Sequence, residues 1–275
     1  VTRAVTRTWY RIALGRPGEP PKLVAAEGEH LGVAIAAAEQ HAPGSFAIAA
    51  EVATGSQIPL GESVGKDRVV ALDEVPVATT FHWPSGVLPG LASPAVPVRR
   101  GYVIHPDPAM LVIEAQTDAE HLTDLYLGLI ERLPSADNLE VRVLDHFEDA
   151  GKTEVWLTSR VDARRILRFL DDHDVEVLGN GHLELSVYVR KHNATLRLTE
   201  HKTVVWLAEP AALETEVTAW LKELSVPRID PLVTVTAVPH FHYRPPKSRD
   251  RKKLNEQLYR QRLRRVATVA RETAG

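Results

Sequence analysis

The sequence predicts an α+β fold: two small α/β sandwich domains, the second nearest to a ferredoxin-like arrangement with repeated strand–helix units, and a basic C-terminal helix. Three observations lead there. Segments that alternate apolar and polar residues are interleaved with segments of helical period. The motif Thr153-Glu154-Val155-Trp156-Leu157 recurs as Thr203-Val204-Val205-Trp206-Leu207, and each copy runs into an amphipathic stretch. From Lys247 to Gly275 there are ten Lys or Arg against three acids, a charge of +7; the whole chain carries −3, so residues 1–246 carry −10.

The first domain is expected over residues 1–83. Residues 8–14 alternate faces as a strand does, and the Gly- and Pro-rich stretch 15–21 breaks it. A helix is expected over 29–41, where Leu31, Val33, Ala34, Ile35, Ala37 and Ala38 cover most of the circumference and call for close packing on a sheet. Strands follow at 45–52 and 68–72. Prolines 84, 89, 94, 97, 106 and 108 then make residues 84–108 a connector, with a short strand at 98–105, because proline cannot donate to a ladder.

The second domain is expected over 109–244. A strand at 110–115 leads into a helix at 118–133, as a weaker copy of the two Trp-containing units, whose helices fall at 161–173 and 211–224. Leu183, Leu185, Val187 and Val189 alternate with polar residues, Lys191-His192-Asn193 turns the chain into a strand at 195–200, and His201-Lys202 turns it into the Trp206 strand. Residues 139–147 and 232–238 are read as further strands, and Gly179-Asn180-Gly181 as a hairpin turn. In the tail, 245–275, Pro245 and Pro246 stop the preceding strand and Ser248 caps a helix running to about Arg271. Its apolar stripe is Leu254, Leu258, Tyr259, Leu263, Val266, Val269 and Ala270.

Composition removes several kinds of chemistry. The chain has no cysteine, which excludes disulfides, thiolate metal sites and a cysteine nucleophile, and fits a reducing compartment. No apolar run reaches the roughly 18 residues of a membrane span. The opening Val1 to Arg7 lacks the pattern of a secretory signal, so a cytoplasmic setting is expected, and the Ala-, Arg- and Val-rich composition points to a bacterium. There is no phosphate-loop motif and no dinucleotide fingerprint, and Ser85 lacks the flanking glycines of a nucleophile elbow.

Three clusters carry residues of the right type for catalysis or metal binding. His240-Phe241-His242 puts two imidazoles on one face of a strand, a spacing that suits a metal, but no third ligand follows in sequence. Asp145-His146-Phe147-Glu148-Asp149 and Asp171-Asp172-His173-Asp174 gather acids and histidine beside turns, where solvation alone favours them. An enzyme would need His146, Asp149 and His240 to meet. Trp156, Trp206 and Tyr188 read as sheet packing.

The sequence reading is therefore a non-catalytic bacterial accessory or adaptor protein, of the kind encoded beside a toxin, defence system or secretion machine. It binds a protein partner or a second copy of itself through Arg260, Arg262, Arg264 and Arg265 and the apolar Leu254, Leu258, Tyr259, Leu263 and Val266. A helix with a basic face and an apolar stripe can dock on its own acidic body, on another protein, on nucleic-acid phosphate or on an anionic membrane surface. The alternatives are a nucleic-acid-binding protein using the same tail and a metal-assisted hydrolase using the His/Asp/Glu clusters. No catalytic residue, metal ligand or small-molecule cofactor is assigned.

Overall fold

The computed structural model describes residues 6–55, 68–74, 81–92, 98–147 and 151–270. The chain begins with a hairpin, β1 (Thr8–Arg16) and β2 (Glu19–Gly28), followed by α1 (Leu31–His41), β3 (Phe46–Val52) and β4 (Val69–Leu72), which make an antiparallel sheet of order β3-β1-β2-β4. The stretch read as a break contains the turn and the start of β2. Gly18 supplies the turn with φ +78°, and Pro20 and Pro21 precede Leu23–Ala26, the part of β2 that pairs with β4, so their missing N–H groups interrupt no ladder there. Helix α1 lies on this sheet through Ala34, Ile35 and Ala38, which share a core with Ile12, Leu14, Val24 and Ala26.

After the short β5 (Val87–Pro89) the second sheet is assembled from β6 (Gly101–His105), β7 (Leu111–Gln116), α2 (Leu122–Arg132), β8 (Asn138–Val143), β9 (Lys152–Thr158), α3 (Ala163–Asp172), α4 (Asp174–Val177), β10 (Leu183–Val189), β11 (Ala194–Leu198), β12 (Val204–Ala208) and α5 (Glu214–Glu223). The chain ends in β13 (His240–His242), α6 (Arg251–Arg260) and β14 (Leu263–Ala270). The sheet has eight antiparallel strands in the order β14-β9-β8-β10-β11-β12-β7-β6. The alternating apolar residues of β8 and β10–β12 share one core with Leu125, Tyr126 and Ile130 of α2, Ile166 and Leu170 of α3, and Leu221 of α5. Their polar alternates turn to the opposite face, where Arg142 pairs with Glu140 along β8 and Arg197 of β11 pairs with Glu184 of β10 across strands.

These findings overturn the expected fold class. The described chain is mostly β, with three antiparallel sheets of four, eight and two strands, rather than two small α/β sandwiches with a ferredoxin-like second unit. The repeated strand–helix segments exist as β9–α3 and β12–α5, but both strands are threaded into one broad sheet. Residues 232–238 form a single 3-10 turn at Val235–Ala237 instead of a strand. Residues 179–181 join α4 to β10 and are not a hairpin turn.

The basic tail is likewise not one long helix. Helix α6 is capped by Asp250, which accepts from the Lys253 amide at 2.8 Å, and not by Ser248. Arg262, at φ 68°, turns the chain, and Leu263–Ala270 then pairs along β9 from Leu263↔Thr158 to Ala270↔Lys152. Val266, Thr268 and Val269 are β-branched and suit a strand. The expected apolar stripe is thereby split. Leu254, Leu258 and Leu263 are buried in the main core, whereas Tyr259, Val266 and Val269 are exposed. Among the described residues no helix is long and apolar enough to cross a membrane.

Candidate metal centre

Strand β13 pairs with β5 in a two-stranded ribbon, His240↔Pro89, Phe241↔Leu88 and His242↔Val87, that joins the two halves of the molecule. The period of two sends Phe241 toward the first core, where Val87 and Leu88 are buried, and both histidines to the other side. His240 Nδ1 lies 2.8 Å from the Val238 carbonyl and His242 Nδ1 2.9 Å from the Gly181 carbonyl. A carbonyl can only accept, so each Nδ1 carries the proton and each Nε2 keeps its lone pair. This is the arrangement by which proteins orient imidazole ligands toward a metal.

The third imidazole comes from the turn between β11 and β12. Thr199 donates its amide to the Thr203 carbonyl at 2.9 Å, Lys202 takes φ 61°, and His201 is held at the crest. The rings of His201, His240 and His242 form a nearly equilateral triangle, with centroids 5.0, 5.0 and 5.1 Å apart. Their candidate ligand atoms all lie within 4.8 Å of one another. A tetrahedral ion at about 2.1 Å from each nitrogen sets the nitrogens about 3.4 Å apart. A contraction on the scale of side-chain rotation would let the trio hold an ion.

A second trio, His146, Glu200 and His242, meets the same criterion. His146 sits in the 3-10 turn Asp145–Phe147 that ends β8, with Nε2 3.5 Å from Glu200 Oε2. The other carboxylate oxygen of Glu200 is 3.9 Å from His201 Nε2, so this side chain stands between the two sets. His242 belongs to both, yet has a single lone pair to offer because its Nδ1 proton is committed to Gly181. The cluster therefore accommodates one ion rather than two.

Burial and neighbouring imidazoles favour the neutral form of His242 and His201. Desolvation, followed by the neighbouring His146, His201 and His240, pushes His242 down to about 3. His201 is lowered chiefly by burial and next by His240. Burial raises the Glu200 carboxyl. Behind His146, at a ring distance of 4.5 Å, lies His182, pushed down to about 2 by burial and by the imidazoles facing it. Lys202 is fully buried, donates to the Asn180 carbonyl at 2.6 Å, and is lowered by desolvation to about 7. Neutral imidazoles are the metal-binding form. The His146, Glu200 and His201 side chains retain 32, 26 and 25 % exposure, so water reaches this edge of the cluster.

Glycine sets the position of His242. Gly86, at φ +102°, accepts the Tyr243 amide, and Gly181 donates to the Tyr243 carbonyl, each at 2.9 Å. A Cβ on Gly181 would stand 1.8 Å from the Gly86 oxygen. Only glycine lets these three backbone segments cross, and the crossing presents the Gly181 carbonyl to the His242 ring.

Of the clusters singled out in the sequence, the His240-Phe241-His242 pair and His146 come together. Glu148 and Asp149 lie outside the described residues. Asp171, Asp172, His173 and Asp174 sit at the α3–α4 junction, where His173 packs edge-on against Phe169, and join neither trio. Arg260, Arg262, Arg264 and Arg265 are exposed on the segment formed by the end of α6 and β14 and join neither trio. Sequence reasoning missed His201, Glu200 and Gly181. A signal was available, since in an antiparallel meander the end of β8, the start of β10 and the β11–β12 turn all fall at one end of the sheet. Comparison of the chain with protein-family models, with curated proteins and with solved structures finds no match.

Proposed function

We propose that this protein binds one divalent transition-metal ion of the zinc class through His201, His240 and His242 and uses it for metal-assisted hydrolysis. The observation that carries the reading is the pair of strand histidines whose Nδ1 atoms are both tied to backbone carbonyls, with a third imidazole completing the triangle. Three-histidine sets with a remaining open position are those of catalytic zinc, and such an ion would polarise a substrate oxygen and acidify bound water. Glu200, half-buried and raised, suits a general base at that position, and His146 suits its hydrogen-bonding partner. The cysteine-free composition fits a reducing, cytoplasmic setting, and the Ala-, Arg- and Val-rich composition a bacterial source, as part of the same proposal.

The test is metal analysis of the full chain after equilibration with buffered zinc, together with the visible spectrum of the cobalt-substituted protein. One ion per chain and a tetrahedral cobalt spectrum are expected, both lost in His240→Ala and His201→Ala and kept in His173→Ala. Zero occupancy, or two ions per chain, overturns the site. Turnover of chromogenic carboxylic and phosphoric esters should require the metal and fall about 100-fold in Glu200→Gln with metal retained. Ester turnover that survives metal removal overturns the hydrolytic assignment.

A further inference from the structure

The sharp turn at Arg262 folds β14 back beside α6 and opens a groove of about 860 Å³ between them, floored by the buried Trp156. Its exposed rim carries Lys252, Arg260 and Arg264, and Arg265 lies along it paired with Glu154 at 3.3 Å. A second groove of about 440 Å³ starts at Gln261, the residue after Arg260, and is lined by Arg164, Arg165 and Arg168 of α3. The acids in the two linings are Glu256, Asp162 and Asp172. Lys252, Arg260, Arg264, Arg164, Arg165 and Arg168 are exposed and form no ion pair with a described carboxylate. On a chain whose first 246 residues carry −10, this strip concentrates unneutralised positive charge.

The strip also displays an aromatic ring. Tyr259 is 58 % exposed at the groove, with the Arg264 guanidinium 4.4 Å above its ring. A solvent-facing tyrosine among arginines is a stacking platform, and spaced cations along a groove track a phosphodiester backbone. We infer that the α6–β14 groove and its continuation along α3 bind single-stranded nucleic acid, with phosphates on Lys252, Arg260, Arg264 and the α3 arginines and a base extending the Tyr259–Arg264 stack. A single strand fits the observations better than a duplex: the flexible chain follows a narrow groove, whereas a rigid duplex brings its charge against the acidic remainder of the molecule. The inference is independent of the metal centre.

Fluorescence anisotropy of a labelled 20-nucleotide oligothymidine tests it, using the full chain with and without chelator. Binding should be insensitive to chelator, and with about six phosphates engaged log K should fall against log salt with a slope of about −4.2. Arg260→Ala with Arg264→Ala should flatten that slope by about 1.4. Tyr259→Ala should weaken binding at least 5-fold with the slope unchanged, which a purely electrostatic surface would not show. All of these residues are exposed, so the variants keep the fold. Absence of binding at 50 mM salt, tighter binding of a 20-base-pair duplex, or equal capture by vesicles of anionic lipid with no effect of Tyr259→Ala overturns the inference.

Discussion

Replacing Gly181 by alanine tests the link between fold and site most directly. The added Cβ would stand 1.8 Å from the Gly86 oxygen, 2.7 Å from its carbonyl carbon and 3.1 Å from the Tyr243 nitrogen. All three are backbone atoms, so no side chain can rotate away, and the segments must part by more than about 1 Å to reach ordinary contact. Parting them strains or breaks the Gly181–Tyr243 and Tyr243–Gly86 hydrogen bonds, worth about 0.5 to 1.5 kcal/mol each. With the overpacking cost, Gly181→Ala should destabilise the protein by about 2 to 4 kcal/mol in urea unfolding. It should also lower zinc affinity about 10- to 100-fold, because the acceptor that orients His242 moves. Gly55→Ala, where nothing lies within 4 Å of the added carbon, is the control and should change neither quantity. A Gly181→Ala protein with parental stability and zinc affinity would refute both the backbone crossing and its role in holding the ligand.

Other consequences can be checked with the same material. His242→Ala should abolish metal binding, because this residue completes either trio, whereas His146→Ala should leave one ion bound by His201, His240 and His242 with affinity close to the parent's, as titration with a competing chelator would show. In the metal-free protein stability should fall with pH below about 6.5: an unfolded chain takes up protons there, while folded His242 and His182, held near 3 and 2, refuse them. Urea unfolding at pH 5 and 7.5 reads this, and a flat profile contradicts it. Lys202 acts above neutrality with the same sign, since its folded value of about 7 lies below the unfolded 10.5; stability should rise from pH 7 toward 10, and Lys202→Met should remove that rise. Arg262→Gly should stabilise by roughly 0.5 to 1 kcal/mol, because φ 68° strains any side chain; in a continuous tail helix the same change would cost about 1 kcal/mol, so thermal melting decides between the two tails.

What could be read in the chain beforehand depended on periodicity. The alternation of Leu183, Leu185, Val187 and Val189 anticipated β10, and the apolar run from Leu31 to Ala38 anticipated α1 packed on a sheet. β2 was hidden because its prolines resemble a loop and lose that meaning only where no neighbour needs their amide. The tail misled because Leu254, Leu258, Leu263 and Val266 fit one helical stripe as well as they fit a helix, a turn and a strand. Short apolar patterns do not separate these choices; pairing with β9 does. The candidate site was legible as fragments: His-x-His on a strand, and His146 beside a turn. His201 in the meander's second turn carried no local mark.

By itself the sequence determined the periodic segments, the excess of acid in the body over the basic end, the absence of thiol chemistry and the two imidazoles on one face of a strand. These are properties of neighbours along the chain, where side-chain spacing and formal charge decide the outcome. Tertiary structure alone decided that eight strands join in one sheet, that residues 263–270 extend it, and that His201 and Glu200 reach His242 across a glycine crossing at Gly86 and Gly181. Strand pairing and ligand convergence depend on contacts between residues far apart in sequence, and their free energy is gained only when the whole backbone is in place.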